Sequence, residues 1–184
     1  NAAEYGGDVS DIRLVGFSGG ANMAAAVAMY PSADDSRCTV PATDFAVSEA
    51  VAFEGDFALG AGWDGVIRDD PSFYDEMTVW SHIANYTGGT IHVLVDSQTT
   101  TSIRGVEEFL DLRHPDGEIR EAWEALGVVD EDRATLVQSN TMFHDLLRQA
   151  GHDTTLTTIE TANHSLTTTA RGAIIYLLFG DTGS

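Results

Sequence analysis

Ser18 stands among small residues, in Gly16-Phe17-Ser18-Gly19-Gly20, and a serine so placed can serve as a nucleophile toward an acyl carbon. The glycines of this G-x-S-x-G spacing let a strand and a helix approach closely around a sharp turn, which lifts the hydroxyl clear and aims the Gly19 N–H at a developing oxyanion. A serine hydroxyl is a weak nucleophile at neutral pH. It needs a base within hydrogen-bond reach, and the base needs a carboxylate to fix its tautomer and stabilise the imidazolium. Of the six histidines, His164 is the best base, because it sits in a short loop, Thr161-Ala-Asn-His-Ser-Leu, just after the last strand-like run. The others lie in a strand (His92), a turn (His114), a helix (His144), an aromatic stretch (His82) and ahead of a strand (His152). None has a metal-ligand spacing with Asp or Glu, so no metal and no cofactor are expected.

The elements that must position these residues follow from hydrophobic pattern. Ile12 to Phe17 is a short β-favouring run, Gly19 and Gly20 are breakers, and Ala21 to Tyr30 is rich in helix formers that stop at Pro31. A second strand runs from Ala46 to Phe53 and closes on Glu54-Gly55-Asp56. Thr90 to Val95 is a third, nearly continuous in apolar character, as a strand covered on both faces should be. Thr141 to Ala150 reads as an amphipathic helix stopped by Gly151, Thr154 to Glu160 as an alternating strand, and Thr167 to Phe179 as a closing helix. The expected fold is α/β, a parallel sheet of about four strands with helices on both faces, in one domain spanning 1–184. Two excursions interrupt it: an aromatic stretch over 60–88 that could cap a pocket, and a helical insertion over 103–128 with a turn at His114-Pro-Asp-Gly117.

Charge narrows the partners. With 29 acidic residues against 9 basic ones, every one of them Arg, the net charge is −20, which disfavours nucleic acid. A negative surface without Lys is what adaptation to high salt would produce, although an acidic chain from an ordinary milieu reads the same way. Cys38 is alone, so no intrachain disulfide forms. No apolar run reaches the eighteen or so residues of a membrane span, and no signal peptide is visible. The compartment stays open between the cytoplasm of a salt-adapted organism and secretion.

The lead-in Asn1-Ala-Ala-Glu-Tyr-Gly-Gly-Asp8, the run Asp11-Ile-Arg-Leu-Val-Gly16 and the turn around Ser18 together resemble the α/β-hydrolase superfamily, and more narrowly its carboxylesterase and lipase-like members. The order Ser, acid, His is that superfamily's triad order. The resemblance implies a serine hydrolase acting on a small-molecule carboxylic ester through an acyl-enzyme, with Ser18 as nucleophile, His164 as base and Gly19 as oxyanion donor. It also implies a pocket wall that includes Phe17, Trp63 and Trp80. For the acid, the family spacing ahead of Gln138-Ser139 favours Asp132, with Asp96 and Asp130 as alternatives and Asp56 behind them. The turn Asp96-Ser97-Gln98-Thr99-Thr100 has Thr where the family carries its carboxylate. An amidase, peptidase or acyltransferase on the same triad, or a ligand-binding protein without turnover, are the rival readings. In the family, further strands precede the nucleophile strand, so an N-terminal fragment or partner chain is expected to complete the sheet and the oxyanion hole.

Overall fold

The computed structural model describes residues 2–8, 10–29, 47–57, 79–86, 88–128, 131–161 and 163–180. Strands β1 (Ile12–Phe17), β2 (Val47–Phe53), β3 (Thr90–Asp96) and β6 (Thr154–Ile159) form one sheet in the order β1-β2-β3-β6. All three pairings are parallel. The α/β fold with helices on both faces is therefore as the pattern predicts, and the strands match the expected runs to within a residue at each described end.

Alternation along the strands divides the core in two. Val51, Phe53 and Leu94 face helix α5 (Thr168–Phe179), which lays Ala170, Ile174 and Leu178 against them. On the other face, Ala52, Ile91 and Val93 meet helix α1 (Gly19–Met29) and helix α4 (Leu136–Gln149). Ala21 and Ala25 of α1 are fully buried, and their small side chains let the helix lie close on the sheet. Arg13 ties β1 to the end of α5: its guanidinium donates to the Leu178 carbonyl, lies 4.9 Å from the Phe179 ring centroid, and is held by Asp11 at 2.9 Å. A cation at a helix C-terminus opposes the negative end of the helix dipole.

The insertion folds as helices α2 (Val106–Arg113) and α3 (Glu118–Ala125), bracketed by a small antiparallel pair, β4 (Ser102–Arg104) with β5 (Arg133–Thr135). That pair was not expected from sequence. Helix α4 also begins earlier than its apolar pattern suggests, because Thr135 accepts from Gln138 N–H while the Gln138 side chain accepts from Thr135 N–H, a capping box.

Hydrogen bonds continue the parallel ladder past the strand ends and align the loops. Ser18 N–H donates to the Phe53 carbonyl (3.0 Å), Glu54 N–H to that of Leu94 (2.9 Å), and Ser97 N–H to that of Ile159 (2.9 Å). The first loop residue after β1, β2 and β3 is thus locked to the neighbouring strand, which gathers Ser18, Glu54, Asp96 and the start of the His164 loop at the carboxyl edge of the sheet, where open α/β sheets place their sites.

Candidate active site

His164 is hydrogen-bonded on both sides of its ring. Its Nε2 lies 3.0 Å from Ser18 Oγ and its Nδ1 lies 2.8 Å from Glu54 Oε2. An ionised carboxylate can only accept, so Nδ1 carries the hydrogen and Nε2 is left to accept the Ser18 hydroxyl proton. Glu54 is fully buried and His164 is partly exposed, so the chain runs from the protein interior to a hydroxyl that a substrate could reach. Burial pushes the Glu54 carboxyl above its ordinary value of 4.5, while the hydrogen bond and charge of His164 pull it back. The Phe17 ring stands 4.8 Å from the imidazole and 5.1 Å from Phe53, so it walls one side of the base.

Three of the four described non-glycine residues with positive φ belong to this site: Ser18 (57°), Glu54 (51°) and Asn163 (67°). Each such residue costs on the order of 1–3 kcal/mol and persists only where its surroundings dictate it. Under Ser18, Gly16 packs so closely on the start of α1 that a Cβ there would stand 1.9 Å from the Gly20 carbonyl oxygen. Beside Glu54, the buried Asn140 of α4 accepts from Gly55 N–H (3.2 Å) and donates to its carbonyl (2.9 Å), while Ser139 accepts from Phe57 N–H (3.1 Å). Asn22 of α1 donates to the Asp56 carbonyl. The turn that carries Glu54 is therefore fixed from two helices.

The carboxylate hydrogen-bonded to His164 is Glu54, rather than Asp132 or Asp96. Asp132 is exposed and accepts from Glu107 N–H (3.0 Å), where it caps α2, whose own N-cap, Gly105, has no side chain to offer. Asp96 is fully buried but is used by Thr161 and Gln98. Asp130 and Trp63 lie outside the described residues, as do Cys38 and most of the 60–88 stretch. Trp80 is a core residue, edge-on to Phe143 at 5.9 Å. Gly19 opens α1, and the first N–H groups of a helix have no partner within it. Among the described residues no cluster of His, Cys, Asp and Glu could hold a metal ion.

Glu54 was missed although its signal stands in the sequence. Val51-Ala52-Phe53-Glu54 repeats Val15-Gly16-Phe17-Ser18 in kind, and Phe17 and Phe53 are register partners. A residue of the Ser18–His164–Glu54 hydrogen-bond chain thus stands one place past a strand-ending Phe on two adjacent strands, each with positive φ.

Among solved structures, the chain is similar to esterase B from Lactobacillus Rhamnosis (HN001), at 11% identity and a TM-score of 0.57 over 93% of this chain and 52% of that one. It is also similar to the truncated form of a carbohydrate esterase from gut microbiota, at 14% identity and a TM-score of 0.56 over 97% of this chain and 62% of that one. The likeness is one of fold. It is the α/β-hydrolase fold, and this chain spans between about half and three fifths of those proteins' lengths. No family model matches the chain, and no curated protein matches it. No helix among the described residues is long and apolar enough to cross a membrane.

Proposed function

We propose that this chain carries the nucleophile, base and acid of a serine esterase. The observation that carries the reading is the continuous Ser18–His164–Glu54 hydrogen-bond chain, at 3.0 and 2.8 Å, on residues held at the carboxyl edge of the sheet. Ser18 Oγ attacks the ester carbonyl carbon as His164 Nε2 takes its proton, and the carbonyl oxygen becomes an oxyanion facing the Gly19 N–H. Collapse breaks the bond to the alkoxide, which leaves with the proton from Nε2. Water then attacks the acyl-serine, gives its proton to the same nitrogen, and the acid departs as Ser18 is reprotonated. Glu54 holds Nδ1–H throughout and stabilises the imidazolium. A carboxylate on the base supports turnover over ligand binding without it.

Ser18→Ala and His164→Ala are each expected to lower hydrolysis of p-nitrophenyl acetate by several orders of magnitude, with the double variant little worse than either, because the three act as a unit. Glu54→Gln cannot hold the same tautomer and is expected to cost about 10⁴-fold in kcat. Full activity in Ser18→Ala would sink the reading. The sheet also points outward: among the described residues β1 pairs on one side only, and this edge with the apolar residues near it supports further strands beside it, with a second oxyanion donor among their loops.

A further inference from the structure

Both ring nitrogens of His164 are taken, yet a second buried carboxylate stands at the next strand end and touches neither. Asp96 closes β3, is fully buried, and pairs with Ile159 across the ladder, one residue before β6 releases the chain into the His164 loop. Its Oδ1 accepts from Gln98 N–H (2.9 Å) and from Thr161 N–H (3.2 Å), and its Oδ2 accepts from the Thr161 hydroxyl. The same turn makes a second link, Thr100 N–H to Asn163 Oδ1 at 3.1 Å, immediately before His164. Burying a carboxylate completely is costly unless donors satisfy it, and here two backbone amides and a hydroxyl converge on it.

We propose that Asp96 is a positioning residue for His164: its carboxylate clamps the Thr161–Asn163 limb so that the imidazole lies between Glu54 and Ser18. The inference rests on the serine-hydrolase reading above for its catalytic consequence, but the clamp itself is a statement about where His164 sits. A limb tied down at residue 161 by two donors to Asp96 and at residue 163 by its own side chain leaves the ring little room to drift. Drift matters, since a misplacement of about 1 Å can cost about 100-fold in rate. An amide in its place would lose the charge that strengthens all three bonds and would reverse the one to the Thr161 hydroxyl, which would have to accept where it now donates.

The test compares Asp96→Asn, Thr161→Val and Thr161→Ser in the full chain. Two readouts are taken: the proton NMR signal of His164 Nδ1–H without substrate, and kcat and KM for p-nitrophenyl acetate. Asp96→Asn and Thr161→Val are each expected to broaden or abolish the His164 signal in a folded protein and to lower kcat by about 100-fold with KM little changed. Thr161→Ser keeps the hydroxyl and should restore both. The Asp96→Asn/Thr161→Val double variant should be no worse than Asp96→Asn alone, because the two share one contact. A sharp His164 signal and unchanged kcat in both single variants would overturn the clamp. So would an Asp96→Asn loss equal to that of Glu54→Gln with Thr161→Val neutral, since that would make Asp96 an acid. Should Asp96→Asn fail to fold, Thr161→Val decides alone, because it leaves the carboxylate with its two amide donors. The NMR signal judges the clamp even if Ser18→Ala shows that the chain is not a hydrolase.

Discussion

Glu54 and Asp96 end neighbouring strands with buried carboxylates, and their surroundings push them in opposite directions. Burial dominates at Glu54 and lifts it above 4.5. At Asp96 burial also pushes upward, but donation from Thr161, Gln98 and Asn163 together outweighs it and leaves the group below its ordinary 3.8. The linkage to stability then has opposite signs. The folded state binds the Glu54 proton more tightly than the unfolded chain does, so this group's contribution falls as pH rises from about 4.5 through the raised value. The folded state binds the Asp96 proton less tightly, so its contribution is present above about 3.8 and is lost as pH falls through the depressed value. Melting temperatures of wild type, Glu54→Gln and Asp96→Asn from acid to neutral pH check this. The wild-type margin over Asp96→Asn should widen toward neutrality, whereas that over Glu54→Gln should shrink or reverse. Margins that move together would contradict the assignment of one carboxylate as a clamp and the other as a strained partner of the base. A site residue that lowers stability where it is ionised is a familiar trade between activity and stability.

The elements show why some of this was legible and some was not. Ile12–Phe17 could be read residue for residue, because β-branched and apolar residues run straight into two glycines, and the helix beyond is marked by alanines. The start of α4 could not be read from hydrophobic period, since its first turn is set by the Thr135–Gln138 capping box and its buried face includes the polar Ser139 and Asn140. Those two polar residues are the ones that hold the Glu54 turn, so a pattern search that looks for apolar stripes passes over the helix's second task. Asp132 misled for a related reason: carboxylates near a helix start serve as caps as readily as they serve chemistry, and only the third dimension separates the two. At the elbow, the close approach of β1 and α1 makes a sharp contrast between glycines. Gly16→Ala would drive its Cβ to 1.9 Å from the Gly20 carbonyl oxygen and 2.7 Å from the Ala21 Cα, both backbone atoms that cannot step aside. A loss of about 3 kcal/mol or more is expected from such overpacking. Gly20→Ala meets nothing within 4 Å inside α1 and should be neutral or stabilising by up to about 1 kcal/mol. Urea midpoints of the two variants measure the contrast, and equal midpoints would mean that β1 and α1 do not meet as described.

At the scale of the whole molecule, the described sheet and helices expose apolar side chains along one edge. Among the described residues β1 pairs on one side only, and Val15 in its middle is 51% exposed. Met23 and Val27 of α1 and Ile175, Tyr176 and Phe179 of α5 are exposed as well, on helices that are apolar nearly all round. Parallel sheets are ordinarily buried on both faces, and helices apolar on every side belong inside a domain. A second copy of the chain is a poor occupant, because each carries a net charge of −20 and would repel the other at low salt. Further strands of the same hydrolase fold suit the edge better, since they would continue the ladder along Ile12–Phe17 and bring helices of their own beside α1 on one face and α5 on the other. Their loops would also supply a second donor to the oxyanion, the loss of which costs about 100- to 1,000-fold in rate. The 184-residue chain alone is therefore expected to exchange its β1 amides much faster than those of β3, and to hydrolyse p-nitrophenyl acetate weakly. Adding the strands that complete the edge, in one longer polypeptide or as a separate chain, should slow β1 exchange and raise kcat by about 100-fold or more, the size of one oxyanion donor. Hydrogen exchange read by mass spectrometry, alongside gel filtration and assay of the same sample, tests this directly. A 19.7 kDa monomer with protected β1 amides and undiminished esterase activity would show that the edge needs no partner.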